Sequence, residues 1–174
     1  AVDIDPRIMQ IGVEMNIDRP YANPGVQRHV NDGRAFLENT ERKYDLILFA
    51  LPDSLTLVSG ASQIRLESFL FTEEAIQSVR RALKPDGAFA MYNYYREPWL
   101  IDRLAGTTQA VFGHEPCVDT WADAQAVVSI AVQAESQTCG EPWVPTTEIT
   151  TVKDDAPFLY FRGNSFPPLY AFTI

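Results

Sequence analysis

Carboxylates punctuate this chain where apolar runs end: Asp3 and Asp5 after a short opening strand pattern, Asp32 in Asn31-Asp32-Gly33, and Asp53 after the run YDLILFA. Acids delivered by successive strands to one sheet edge can grip a nucleoside, because a carboxylate at the end of such a strand accepts both ribose hydroxyls. A charged acceptor is worth about 1.5–3 kcal/mol per hydrogen bond. An Asp-Gly pair after the next strand can offer a carboxylate and a backbone amide to an adenine edge. Simpler roles compete at each position. Asp5 reads as a helix cap, Asp3 as a solvated strand residue, and Asp32-Gly33 as a turn and cap.

The elements that would position these acids follow from pattern. Ala1 to Ile4 reads as a strand end, and Asp5-Pro6 opens a helix with the acid as N-cap and Pro at the first helical position. Ile8, Ile11 and Met15 fall at helical spacing and are expected to be its buried side. Asn16 to Gly25 is a turn-rich loop, Val26 to Val30 a second strand, and Ala35 to Leu37 part of a short helix. Asp45 to Ala50 is nearly all apolar, as in a strand covered on both faces. Thr72 caps the helix TEEAIQSVRRALK, with Glu73 and Glu74 at its positive end and Arg80, Arg81 and Lys84 at its negative end. Then come a strand from Ala88 to Tyr95, a helix from Pro98 to Phe112, and a strand from Gln125 to Ala134 paired near Val118. Alternating strands and helices with short turns predict a doubly wound α/β fold.

Composition narrows the function classes. The chain has 174 residues, 46% hydrophobic and 21% charged, enough for one core. Its formal charge is −9, from 14 basic and 23 acidic residues, which opposes the counterion-release binding of nucleic acid, so no nucleic-acid partner is expected. No apolar run of about 20 residues appears. Cys117 and Cys139 lack metal-ligand spacing and are too few for a disulfide scaffold, so two reduced thiols in a cytosolic protein are expected, and no metal site. His29 reads as a core histidine, and His114 has no partner at ligand spacing. Ser54 and Ser59 lack the context of a hydrolase nucleophile.

Five stretches in order, VDIDP, VNDGRAFL, YDLILFALPDS, ESFLFTEEAIQSVRRALKPDGAF and DRLAGTTQAVFG, resemble the spermidine synthase group of class I S-adenosylmethionine-dependent transferases, over about Ala1 to Phe112. The resemblance implies an α/β, Rossmann-like doubly wound, mostly parallel sheet of class I methyltransferase type. It puts Asp3 on the nucleoside ribose, Asp32 and Gly33 on adenine, and Asp53 near the transferred group, with a nucleoside and an amine as small-molecule partners. The cofactor implied is S-adenosylmethionine or its decarboxylated form. The family's DSSDP-like turn carries two acids, and here the register gives Ala50-Leu51-Pro52-Asp53-Ser54, so the first is Ala50. General-base help is typically worth 10²–10⁴-fold, about 3–5 kcal/mol of barrier. Aminopropyl transfer is therefore expected to be impaired, with methyl transfer or a non-catalytic binding or assembly module as alternatives.

The family's preceding strand and glycine-rich turn do not occur in this chain, which predicts a sheet truncated at its first strand and no cofactor bound by this piece alone. Residues 1–135 are expected to form the transferase domain, and 136–174 an irregular extension that packs on it or leads to a removed neighbour. Bare strand edges are not left open in water. The AVDI strand is expected to pair directly with DLILFA, or a second copy to fill the gap as a homodimer. Tyr92, Tyr94 and Tyr95, with Arg96 and Trp99 nearby, are expected to line a substrate pocket where aromatics could enclose a cation, or else to form a packing patch. The stretch DDAPFLY, Asp154 to Tyr160, and the apolar end at Ile174 also resemble spermidine-synthase-like domains of multi-spanning membrane proteins. That likeness implies membrane-spanning neighbours and a place at the cytoplasmic face.

Overall fold

A computed structural model describes residues 1–52, 66–95, 97–121 and 125–162. The chain divides into two units, residues 1–41 and residues 42 onward.

In the first unit, strand β1 (Val2–Asp3) pairs in parallel with β2 (His29–Val30), Val2 opposite His29 and Asp3 opposite Val30. Helix α1 (Pro6–Met15) starts where expected, with Pro6 in its first turn and the Asp5 side chain accepting the Arg7 amide at 2.7 Å. A short 3-10 turn, Pro20–Ala22, lies in the loop, and helix α2 (Gly33–Asn39) follows Asp32. Two expectations need correction here. The second strand is confined to His29–Val30 instead of running from Val26. Ile8, Ile11 and Met15 are not the buried side of α1: they are 55%, 47% and 76% exposed, and Met9 is the buried residue. Helical spacing shows which face of a helix is apolar, but not whether a neighbour covers it.

The second unit holds a four-stranded sheet in the order β3 (Tyr44–Ala50), β4 (Leu83–Tyr94), β6 (Gln125–Ala131), β5 (Cys117–Trp121). β3 and β4 run parallel, and β6 and β5 add antiparallel strands, with Val118 opposite Val128 as expected. The class is α/β and Rossmann-like. β1 and β3 lie in separate sheets, so the expected direct pairing of AVDI with DLILFA does not form. The two-rung ladder of β1 is made with β2.

Strand β4 begins at Leu83, not Ala88, because helix α3 (Glu73–Ala82) stops earlier than its apolar pattern suggests. Lys84 precedes Pro85, and the residue before a proline is pushed out of the helical region. Gly87 sits where the Tyr44 carbonyl passes 2.9 Å from the place a Cβ would occupy, so a side chain there would part β3 from β4. α3 is capped by Thr72, whose hydroxyl accepts the Ala75 amide, with Glu73 and Glu74 first and Arg80 and Arg81 last. Helix α4 spans Pro98–Phe112 as expected and ends on Gly113, whose φ of 85° is the left-handed cap geometry glycine adopts without strain.

One sheet face packs against helices: Phe89, Met91, Val128 and Ile130 are at most 1% exposed. The other face is not covered in the way a strand buried on both sides requires. Leu46 and Leu48 of β3 are 57% and 49% exposed while Ile47 between them is buried, which corrects the expectation of a doubly covered strand. Beyond β6, residues 137–162 form a strap with little regular structure that crosses α4. Gly106 permits this crossing, since a Cβ there would collide with Ile149.

Candidate functional site

In the first unit the parallel ladder sets the ends of β1 and β2 side by side, and the Asn31 amide donates to the Asp3 carbonyl at 3.0 Å. Asp3 closes β1, and Asp32 stands two residues past the end of β2 with Gly33 opening α2. Both acids therefore follow strands that end together. Each also has local work. Asp3 Oδ1 accepts the Asp5 amide at 2.8 Å, and Asp32 Oδ1 accepts the Ala35 amide at 2.8 Å as the α2 cap. An ionised carboxylate has about four acceptor positions, so one backbone bond leaves it able to accept ligand hydroxyls as well. Asp5 is fully explained as the α1 cap.

In the second unit β3 leaves the sheet through Ala50-Leu51-Pro52. Ala50 lies opposite Tyr92 on β4, and the Leu51 amide donates to the Tyr92 carbonyl at 3.1 Å. Leu51 has φ 49°. A branched residue pays roughly 1–2 kcal/mol in the left-handed region, and a residue before proline is further restricted. This bend thus holds strain exactly one residue past Ala50, a feature no motif in the sequence announces. Asp53, the expected catalytic acid, and Ser54, Ser59 and Arg96 lie outside the described residues.

The three tyrosines part company. Tyr92 and Tyr94 alternate on β4 and emerge on the uncovered sheet face, 36% and 46% exposed, whereas Tyr95 is 3% exposed. Tyr95, the residue after the end of β4, is therefore a buried residue of the core. Trp99 is buried too. The Arg103 guanidinium, one turn further along the same helix, lies over its ring at 4.9 Å.

Sequence reasoning missed the most heavily bonded groups. Asp102, 3% exposed, accepts from Trp143 Nε1, from the Thr146 amide and hydroxyl, and from the Thr147 amide and hydroxyl. Arg103 donates to the Thr150 hydroxyl and to the carbonyls of Phe158, Leu159 and Phe161. Burial, with Arg162 adding to it, lowers the Arg103 pKa. The signal was present: a charged pair within a helix apolar on most sides must find partners. The DDAPFLY stretch belongs to this docking, with the Asp154 amide donating to Glu74 and its carboxylate accepting from Thr72. Cys117 and Cys139 form a disulfide, which corrects the expectation of two reduced thiols; spacing along a chain does not reveal that β5 and the strap meet. His114 Nε2 lies 3.0 Å from the Ala131 carbonyl, and the His29 ring packs on Phe36 with centroids 4.9 Å apart. Among the described residues no group of three His, Cys, Asp or Glu could hold a metal, and no helix is long and apolar enough to cross a membrane.

Comparison with known proteins bears on residues 1–114, which match the family model of the spermine/spermidine synthase domain. A polyamine aminopropyltransferase of Nitrosomonas europaea is 30% identical over 96 residues, covering 53% of this chain and 26% of the relative. The crystal structure of spermidine synthase from Thermotoga maritima superposes with a TM-score of 0.59 at 14% identity, over 99% of this chain and 58% of that one. Human methyltransferase-like protein 13, solved in complex with SAH, gives a TM-score of 0.57 at 17% identity over 80% of this chain and 63% of its own. At these identities the structural matches speak for the fold. The chain spans about a quarter of its curated relative and under two thirds of either solved structure.

Proposed function

The chain belongs to the spermine/spermidine synthase domain family, and on that premise we propose that it supplies the nucleoside-gripping edge of an S-adenosylmethionine-type transferase. Asp3 takes the ribose hydroxyls, and Asp32 with the Gly33 amide takes the adenine. The observation that carries this reading is the parallel β1–β2 ladder, which ends both strands together and opens α2 immediately after Asp32. A solved spermidine synthase holds the transition-state analogue AdoDATO, which supports an S-adenosyl ligand by analogy.

The transferred group is set by the turn after β3. Ala50 presents a methyl where a transferase of this family places a proton acceptor, and a methyl cannot deprotonate an amine. In this reading Asp53 is the remaining acid, aminopropyl transfer to an amine is slowed by roughly the 10²–10⁴-fold that general-base help supplies, and methyl transfer is the activity less dependent on the lost group. A second reading, a non-catalytic binding module, draws on the same Ala50 and on the backbone bonds that Asp3 and Asp32 already make.

Calorimetric titration of the full natural protein with S-adenosylmethionine and with its decarboxylated form separates the two. Saturable heat with either supports the transferase reading, and turnover assays then assign the transferred group. Absence of heat with both contradicts it.

A further inference from the structure

Both cysteines of the chain, Cys117 and Cys139, are used in one disulfide that joins β5, the outermost strand of its sheet, to the strap that crosses α4. Their Cα atoms are 5.2 Å apart, within the span such a bond needs. The surroundings are built for it. Gln137 Oε1 accepts the Ala131 amide at 3.0 Å, while its Nε2 donates to the Glu115 carbonyl at 2.7 Å and approaches Cys139 Sγ at 3.4 Å. Cys117 is buried, 6% exposed, and Cys139 is half-buried. From Cys139 the strap runs on to the Asp102 and Arg103 anchors.

We propose that Cys117–Cys139 is a permanent covalent modification that fixes the strap, and that this domain therefore matures and works in an oxidising compartment rather than the cytosol. Cytosolic glutathione and thioredoxin keep ordinary thiols reduced, and stable structural disulfides belong to secreted, periplasmic or luminal proteins. The bond forms by thiol–disulfide exchange with an oxidised dithiol oxidoreductase. One thiolate attacks the donor disulfide, the second thiolate resolves the mixed disulfide, the chain loses two protons and two electrons, and the donor leaves as a dithiol. With no third cysteine, the chain holds no thiol that could reopen the bond in a catalytic cycle. The role is structural, and the inference stands whether or not an S-adenosyl ligand binds.

The direct test is the thiol state in the native host. Cells are quenched in acid, the protein is denatured, free thiols are blocked with one maleimide, the protein is reduced, newly released thiols are labelled with a second maleimide, and the peptides carrying Cys117 and Cys139 are read by mass spectrometry. The expected result is the second label on both cysteines. The first label on both cysteines overturns the proposal. A second measurement needs no mutant: the purified full-length protein is unfolded in denaturant with and without reductant. A ring closed over a sequence separation of 22 residues predicts an unfolding equilibrium constant raised roughly 300-fold by reduction, from the loop-closure entropy. Superimposable unfolding curves contradict a stapling role.

Discussion

Helix α1 buries one side chain, Met9, whereas α3, also ten residues long, buries five: Ala75, Ile76, Ser78, Val79 and Ala82. Both are capped by the residue the sequence offers, Asp5 in one and Thr72 in the other. Capping is a local transaction between a side chain and amides two or three residues on, so it forms with or without a core. Burial is not local. In the second unit, side chains far apart in sequence meet: Asp102 with Thr146 and Thr147, Arg103 with Leu159, Thr72 with Asp154. The first unit is held by caps, a two-rung ladder and few buried side chains. The carboxylates proposed to meet a nucleoside thus belong to the unit with the smaller core.

The contrast breaks most sharply at Asp102. Replacing it with Ala leaves the Trp143 indole and the amides and hydroxyls of Thr146 and Thr147 without their buried acceptor, and should cost about 3–5 kcal/mol in denaturant unfolding. Ile11→Ala, on the exposed face of α1, should change stability by no more than about 0.5 kcal/mol. Equal effects at the two positions would erase the distinction between the units.

How much of this was legible in the chain follows the same line. α4 was readable to the residue because Pro98 opens it and Gly113 closes it, and those signals are local. The caps at Asp5, Asp32 and Thr72 were readable for the same reason. The start of β4 was missed because the pre-proline restriction at Lys84 outweighed a good helical pattern. The burial of Ile8, Ile11 and Met15 was missed because periodicity does not say what covers a face. The strap and its disulfide depend on pairings between residues more than twenty positions apart, which no spacing rule specifies. Of the candidate residues, Asp3 closes β1, Asp32 caps α2 and Gly33 opens that helix, while the strain at Leu51 had no signature, since leucine ordinarily avoids that conformation.

A smaller effect sharpens the reading of the β3 turn. Leu51→Gly relieves the left-handed backbone, and the gain of roughly 1–2 kcal/mol is offset in part by glycine's greater freedom in the unfolded chain. Net stability should rise by up to about 1 kcal/mol, read as a higher midpoint of thermal unfolding. A fall would show that Leu51 contributes packing that outweighs its backbone.

The smallest effect lies at the surface. Lys84 lowers the Asp45 pKa through a hydrogen bond at 2.7 Å and through its charge, and the Lys84 pKa is raised in return. Asp45 therefore contributes stability that is present above its ordinary value of 3.8 and lost as pH falls through the lower folded value. Lys84 contributes below its ordinary 10.5 and loses this as pH rises through a higher folded value. Both groups are exposed and screened by salt, so Asp45→Asn should leave the unfolding curve at neutral pH and moderate salt almost unmoved.

The central claim is that the ends of β1 and β2 hold a nucleoside through Asp3. It is tested most directly by calorimetric titration of the full natural protein and its Asp3→Asn variant with S-adenosylmethionine. Asparagine keeps an acceptor for the Asp5 amide but loses the charge, so the variant should fold and bind roughly 10–100-fold more weakly, as the loss of charged hydrogen bonds to ribose hydroxyls requires. Equal affinity in the two proteins would contradict the account.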